Sequence, residues 1–171
     1  MTFPTDQQGW EVFLQGKFDR QETVEHLKNH RQARDDFKVI MLLAQGYAWR
    51  AAWLIRDAIQ PQDDFSSFIP QAIEVLPRLK DGHQREILKV LELLTIDEAT
   101  EGPLFDVCMG IWESPGKSPS VRMNAMLFIL KVVKKYPELQ AELTHLTQAH
   151  YMESLSPGVK RALEKRVRLL K

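Results

Sequence analysis

Apolar residues three or four positions apart recur along nearly the whole chain, and no segment shows the strict apolar–polar alternation of a half-buried strand. A spacing of that kind lines up one face of a helix and no face of a strand, so the chain is expected to be all-α. Prolines and glycines divide the pattern into short rods. Helices are expected over 7–14 and 19–29, the second capped by Asp19 with Glu22 three residues on. A third, over 33–45, buries Phe37, Ile40, Met41 and Ala44, and Gly46 then turns the chain into a helix over 48–59 with the stripe Ala48, Ala52, Ile55 and Ile59. The next helix spans 64–79, with Pro70 in its first turn if it starts near Ser67 and Pro77 bending or ending it. Asp81–Gly82 reads as a turn before a return helix over 83–94, and Pro103 as the first position of another. Ser118–Pro119 and Ser156–Pro157 are cap-plus-proline starts of two further helices, the first running to Lys135, and between them Pro137 opens a helix carrying Leu139, Leu143 and Leu146.

At 171 residues and 44% apolar composition, the chain has enough core for one domain, and residues 1–171 are read as one. Spanning a membrane takes about 20 consecutive apolar residues, which the chain lacks. Residues 1–8 are polar and 9–14 too short for a secretory core, so a cytoplasmic location is expected. A single cysteine, Cys108, excludes an internal disulfide and any site built from several thiolates. The net charge of zero hides a polarity. Residues 1–116 carry 12 basic and 19 acidic side chains, whereas 117–171 carry 11 basic and 4 acidic. Head-to-tail contact, an acidic protein partner or a phosphate-bearing ligand are all compatible with that division, as are ordinary solvated helix faces.

Basic residues near four helix starts, Arg50, Arg85, Arg122 and Lys160, are separated by 35, 37 and 38 positions. Each is followed three residues later by an apolar one: Trp53, Leu88, Ala125 and Leu163. Periods of this size belong to two-helix solenoid repeats, in which a hairpin buries its apolar face only by stacking on its neighbours.

The segment Ser120-Val121-Arg122-Met123-Asn124-Ala125, continuing through Leu127, Leu130 and Val133 to Tyr136-Pro137, resembles the second helix of a HEAT repeat and its exit. Residues 157–163 are similar but less regular. This resemblance to HEAT and armadillo repeat proteins covers about residues 33–171 and is sharpest at 118–137. It implies a right-handed α-α superhelix of about four degenerate hairpins, with extra N-terminal capping helices over 1–32, and a scaffold for another protein or for nucleic acid. It also puts Leu127 in the core.

Two surfaces stand out as candidate sites. Trp49, Trp53 and Asp57 are four apart and share one helical face. This arrangement is similar to that of HEAT-like alkylpurine DNA glycosylases. That likeness implies Trp53 against a damaged base, Asp57 stabilising the cationic sugar, and a second tryptophan, for which only Trp112 is on offer. The plainer reading has the indoles packed between helices and Asp57 solvated or paired to Arg56 or a neighbour. On the last helix Val159, Ala162, Leu163, Val167 and Leu170 form an inward stripe, while Arg161, Lys165 and Arg168 point away, either to grip an acidic partner or to solubilise the end of the array.

His26 and His30 have metal-compatible spacing and Glu22 extends their row, but the remaining histidines lie far away in sequence, so a surface pair is expected; Cys108 sits on an apolar stripe. Neither a phosphate loop, a nucleophile elbow nor a zinc-protease motif is present. No cofactor or metal is therefore expected. The sequence reads as an interaction module whose partner is another protein, with a DNA-binding or repair role as the alternative.

Overall fold

In the computed structural model, which describes residues 2–170, every regular element among the described residues is a helix, and the chain packs as two compact units that meet in sequence between Ile96 and Asp97. The first holds α1 (Gln7–Gln15), α2 (Arg20–Asn29), α3 (Arg31–Ile40), α4 (Trp49–Ile55), α5 (Phe68–Val75) and α6 (Asp81–Leu93). The second holds α7 (Glu98–Trp112), α8 (Pro119–Lys135), α9 (Gln140–Leu146), α10 (Ala149–Met152) and α11 (Pro157–Arg168). Short 3-10 turns at Leu76–Arg78 and Pro137–Leu139 follow α5 and precede α9, each at a proline.

Local chemistry accounts for the helix starts. Asp6, Asp19 and Asp97 each accept a 2.8 Å hydrogen bond from the backbone N–H three residues on, satisfying one of the donors a helix start leaves free. Ser118 and Ser156 stand immediately before Pro119 and Pro157, whose missing N–H costs nothing at the first helical position. A Cβ on Gly9 would stand 2.9 Å from Cβ of Pro4, so the glycine lets the N-terminal segment lie against α1.

Several boundaries differ from expectation. Helix α3 ends at Ile40, leaving Ala44 exposed, and Gly46 takes no positive φ, so its special freedom goes unused. Helix α5 begins at Phe68, four residues later than expected, with Ser67 in the cap position. Asp81 and Gly82 are the first two residues of α6, where the acidic side chain faces the positive helix end. Pro103 lies at the sixth position of α7, because Asp97 caps that helix well upstream. The four-residue α10 follows no apolar period that sequence could show.

In the first unit α3 packs against α1, α2 and α4, and α4 against α6, burying Trp10, Phe37, Ile40, Leu54, Ile55 and Ile87. In the second, α7 and α8 form an extended hairpin and α11 lies on α8, around Leu104, Trp112, Met126, Ile129 and Leu146. Leu127 is only half-buried, one residue out of register with Ala125, Met126, Ile129, Leu130 and Val133, which form the buried face of α8. On α11, Leu163 and Val167 are buried, while Val159, Ala162 and Leu170 are half-exposed.

One device recurs in both units. The fourth residue of α3, α6 and α8 is Arg34, Gln84 and Arg122. Each is buried and reaches back to the carbonyl end of the helix before it. Arg34 Nη1 donates to the carbonyls of Leu27 (2.8 Å) and Lys28 (3.0 Å), Gln84 Nε2 to that of Leu76 (2.7 Å), and Arg122 Nε to that of Trp112 (2.9 Å). The last carbonyls of a helix have no partner within it, and in a buried hairpin water cannot serve them. A long donor at this position closes the hairpin by satisfying them. The recurring station therefore runs through Arg34, Gln84 and Arg122, whereas Arg50 lies at the second position of its helix and Arg85 on a surface face, one residue out of register. Lys160 holds the same fourth position in α11 and lines a shallow groove with Met152 and Leu163.

Arg34 also grips Asp63 through both oxygens at 2.8–3.0 Å, with only 2% and 1% of the two side chains exposed. Burial pushes the Asp63 carboxyl up, but the Arg34 guanidinium and the Gln60 N–H more than offset this and hold it below the usual carboxylate range. Removing one member of such a pair strands the other, so Asp63→Asn is expected to cost about 3–5 kcal/mol at neutral pH. A carboxylate with a depressed folded-state pKa contributes its full stability above the unfolded value, about 3.9, and loses it as pH falls through the folded one. The penalty, read from denaturation midpoints, shrinks below about pH 4. Separately, Ile129→Ala is expected to cost about 2–5 kcal/mol and Leu127→Ala clearly less; equal losses in urea denaturation would place both side chains at the same depth.

Candidate functional site

Helix α4 is short and sharply two-sided. Ala48, Ala51, Ala52, Leu54, Ile55 and Ala58 are buried along it, and the run of alanines admits close approach of its neighbours. Trp49 and Trp53 lie half-exposed on another side, ring centroids 6.1 Å apart and planes tilted by 43°. Asp57 stands in the turn beyond the helix, its side chain 35% exposed, so the structure brings together all three residues that the spacing put on one face.

Their surroundings were not legible from that spacing. Arg20, first residue of α2, lays its guanidinium 4.8 Å from the Trp53 ring centroid and pairs through Nη2 with Asp57 Oδ2. Arg56 Nε donates to Asp57 Oδ1 at 3.1 Å. Burial pushes the Asp57 carboxyl up, and the hydrogen bonds and charges of Arg56 and Arg20 outweigh it, leaving the group below its usual range and ionised. Arg56 then extends Nη1 to within 3.8 Å of Oε2 of Glu86, whose Oε1 takes Arg85 at 2.8 Å and Lys89 at 3.2 Å. The result is an unbroken ion-pair ladder, Arg20–Asp57–Arg56–Glu86–Arg85/Lys89, stitching α2, α4 and α6 together. At the other end of α4, Arg50 donates to the carbonyls of Leu14 (2.7 Å) and Gly16 (2.9 Å), and its guanidinium lies 5.7 Å from the ring centroids of both Trp49 and Phe18.

This geometry bears directly on what the face can do. A carboxylate held by two guanidiniums is a poor general base and has little field to spare for a cationic sugar. The face of Trp53 that a flipped base would stack on carries Arg20. Trp112 is fully buried in the second unit, donating Nε1–H to the Leu146 carbonyl at 3.0 Å and covered by Arg122 at 4.5 Å, so it is a core residue. Arg122 in turn bonds the Trp112 and Tyr151 carbonyls and the Ser154 hydroxyl, which compensate the burial that pulls its pKa down.

Arg161, Lys165 and Arg168 are exposed on α11, with Arg161 Nε reaching the Pro157 carbonyl of its own helix at 3.3 Å. Arg168 borders a groove of about 400 Å³ shared with Lys160, Glu164 and the apolar Met152, Leu163 and Val167. His26 and His30 stack ring on ring at 3.8 Å, and His26 also stacks on Phe3 at 4.1 Å. Cys108 is fully buried, and burial pushes its thiol far up, away from any thiolate chemistry.

Sequence reasoning did not pick out Arg20, Arg85, Glu86 and Lys89 as a group. The only local signals were the Arg56–Asp57 adjacency and the Arg85-Glu86-x-x-Lys89 run; the link to Arg20, 37 residues from Asp57, is purely tertiary.

The sequence profile of the family described as HEAT repeat domain matches residues 15–169. It therefore takes in α2 and the C-terminal residue of α1, upstream of position 33, where the repeats were expected to begin. No curated protein and no solved structure matches the chain.

Trp10 and Trp112 are fully buried, so collisional quenching of tryptophan fluorescence reports on Trp49 and Trp53. Arg20→Ala uncovers the Trp53 face and is expected to raise acrylamide quenching while costing only about 0.5–1 kcal/mol of stability. Unchanged quenching would remove Arg20 from the ring.

Proposed function

We propose, from the premise that this chain belongs to the HEAT repeat family, that it is a small protein-interaction module whose binding face is the Trp49–Trp53 side of α4. The observation that carries the reading is the pair of half-exposed indoles held beside guanidiniums on rigid helices. Tryptophan and arginine supply a disproportionate share of binding energy at protein interfaces, tryptophan because its large rigid ring loses little freedom on docking and arginine most of all where it is already held in place. Here the arginines are already fixed by carboxylates and backbone carbonyls, so the face is preorganised.

The family match spans residues 15–169, running through both units, and is compatible with reading the chain as one helical-repeat domain. The exposed Arg161, Lys165 and Arg168 then form a solvated basic face of α11 rather than the binding face. A cytoplasmic setting suits a chain with one buried, chemically inert cysteine. Among the described residues no helix is long and apolar enough to cross a membrane. The DNA-repair alternative, with Trp53 and Asp57 as its working pair, requires Arg20 to leave both groups before substrate enters, and nothing about the ladder favours that.

Affinity capture from native lysate tests the reading. Trp53→Ala is expected to weaken retention of specific partners by about 2 kcal/mol, roughly 30-fold, while Arg161→Glu/Lys165→Glu/Arg168→Glu leaves it unchanged. Retention that follows the terminal helix and ignores Trp53 would move the binding face to the other end of the chain.

A further inference from the structure

The charge distribution along the ladder is lopsided. Glu86 has a side chain only 2% exposed, yet it anchors three cations: Arg85 and Lys89 share its Oε1, and Arg56 approaches Oε2, which accepts no hydrogen bond. Asp57 anchors Arg56 again together with Arg20. Four cations thus stand against two carboxylates. The cationic side chains are 27–39% exposed, so donors that Glu86 and Asp57 do not use face water. Free arginine and lysine side chains lose rotamer entropy when they grip an anion; these have lost most of it already, to carboxylates beneath them. Trp53 adds a half-exposed aromatic surface beside them.

We infer that Arg20, Arg56, Arg85 and Lys89, organised by the buried Glu86, form a binding site for a short acidic segment of a partner protein that lays an apolar side chain against Trp53. The inference rests on the face proposed above and names its ligand. Charge complementarity selects the occupant's sign, and the rest of the unit selects its class. Residues 1–96 carry 14 acidic and 12 basic side chains, with Asp19, Glu22 and Glu25 clustered along α2 around a shallow depression. A nucleic acid extends its phosphates past any local patch and meets that acid, whereas a few aspartates and glutamates need only the local surplus.

The test is fluorescence anisotropy of the full chain with a labelled 12-residue peptide of aspartate and glutamate around one phenylalanine. A basic peptide and a single-stranded oligonucleotide are run in parallel. The acidic peptide is expected to bind in a salt-sensitive way, and Arg85→Ala/Lys89→Ala, both partly exposed positions, to weaken it about tenfold or more. Glu86→Gln removes a negative charge from the patch, so simple attraction predicts tighter binding. An organising role predicts weaker binding, and tighter binding by this variant would overturn it. If Glu86→Gln fails to fold, the alanine pair still decides. Absence of acidic-peptide binding, indifference to the alanine pair, or equal affinity for the oligonucleotide would each overturn the proposal. Partner capture that depends on Trp53 yet resists competition by the acidic peptide would leave the face standing and remove only the ligand class.

Discussion

A helix that is buried end-on leaves its last carbonyls without water and without intrahelical partners, and every hairpin in a stacked helical fold must solve that problem. At three of its hairpins this chain solves it with a long donor on the following helix. Arg34, Gln84 and Arg122 stand at the same position of their helices and reach back to the carbonyls of Leu27, Leu76 and Trp112. The bonds do more than satisfy acceptors, since each fixes where the second helix begins relative to the end of the first. That in turn decides which apolar residues face inward. Burial supplies most of the stabilisation, but the latch selects its register.

The same logic explains how charge can be buried at modest cost. Arg34 is paid for by Asp63 and two carbonyls, and Arg122 by two carbonyls, a hydroxyl and the face of Trp112. Nearer the surface, Asp57 and Glu86 hold cations in place without neutralising all of them. The ladder across α2, α4 and α6 is therefore structural in origin, and it leaves excess positive charge beside two half-exposed indoles. A carboxylate that serves as an anchor is poorly suited to serve as a catalyst, because the cations that fix its position also take up its lone pairs. For this reason the tryptophan–aspartate spacing, suggestive by itself of base recognition, loses that suggestion once Arg20 is in view.

Most of the fold was legible in the chain's pattern, and particular residues show why. The all-α class, the Asp19 cap, the helix starts at Pro119 and Pro157, the proline breaks and the extent of α8 follow from chemistry within one turn of helix, which sequence displays directly. Pro103 misled because its propensity for a first helical turn was outweighed by the stronger Asp97 cap upstream. Leu127 misled because a period of 3.6 leaves the register of a stripe uncertain by one residue, and only the facing helix α7 settles it. The expected station holds at Arg122 and Lys160, slips by one residue at Arg85, where Gln84 occupies it, and fails at Arg50, because the first such residue is Arg34 on an earlier helix.

By itself the sequence determined that the chain is built of amphipathic helices, where most of them start and stop, and that Trp49, Trp53 and Asp57 share a face. These are matters of spacing and local hydrogen bonding, which act over a few residues. Tertiary structure decided which donors close the hairpins, that Arg20 crosses 37 residues to cover Trp53 and hold Asp57, and that Glu86 lies buried beneath three cations. Such pairings depend on how helices distant in sequence approach one another, and the energy of that approach comes from packing whole faces, which no local pattern encodes.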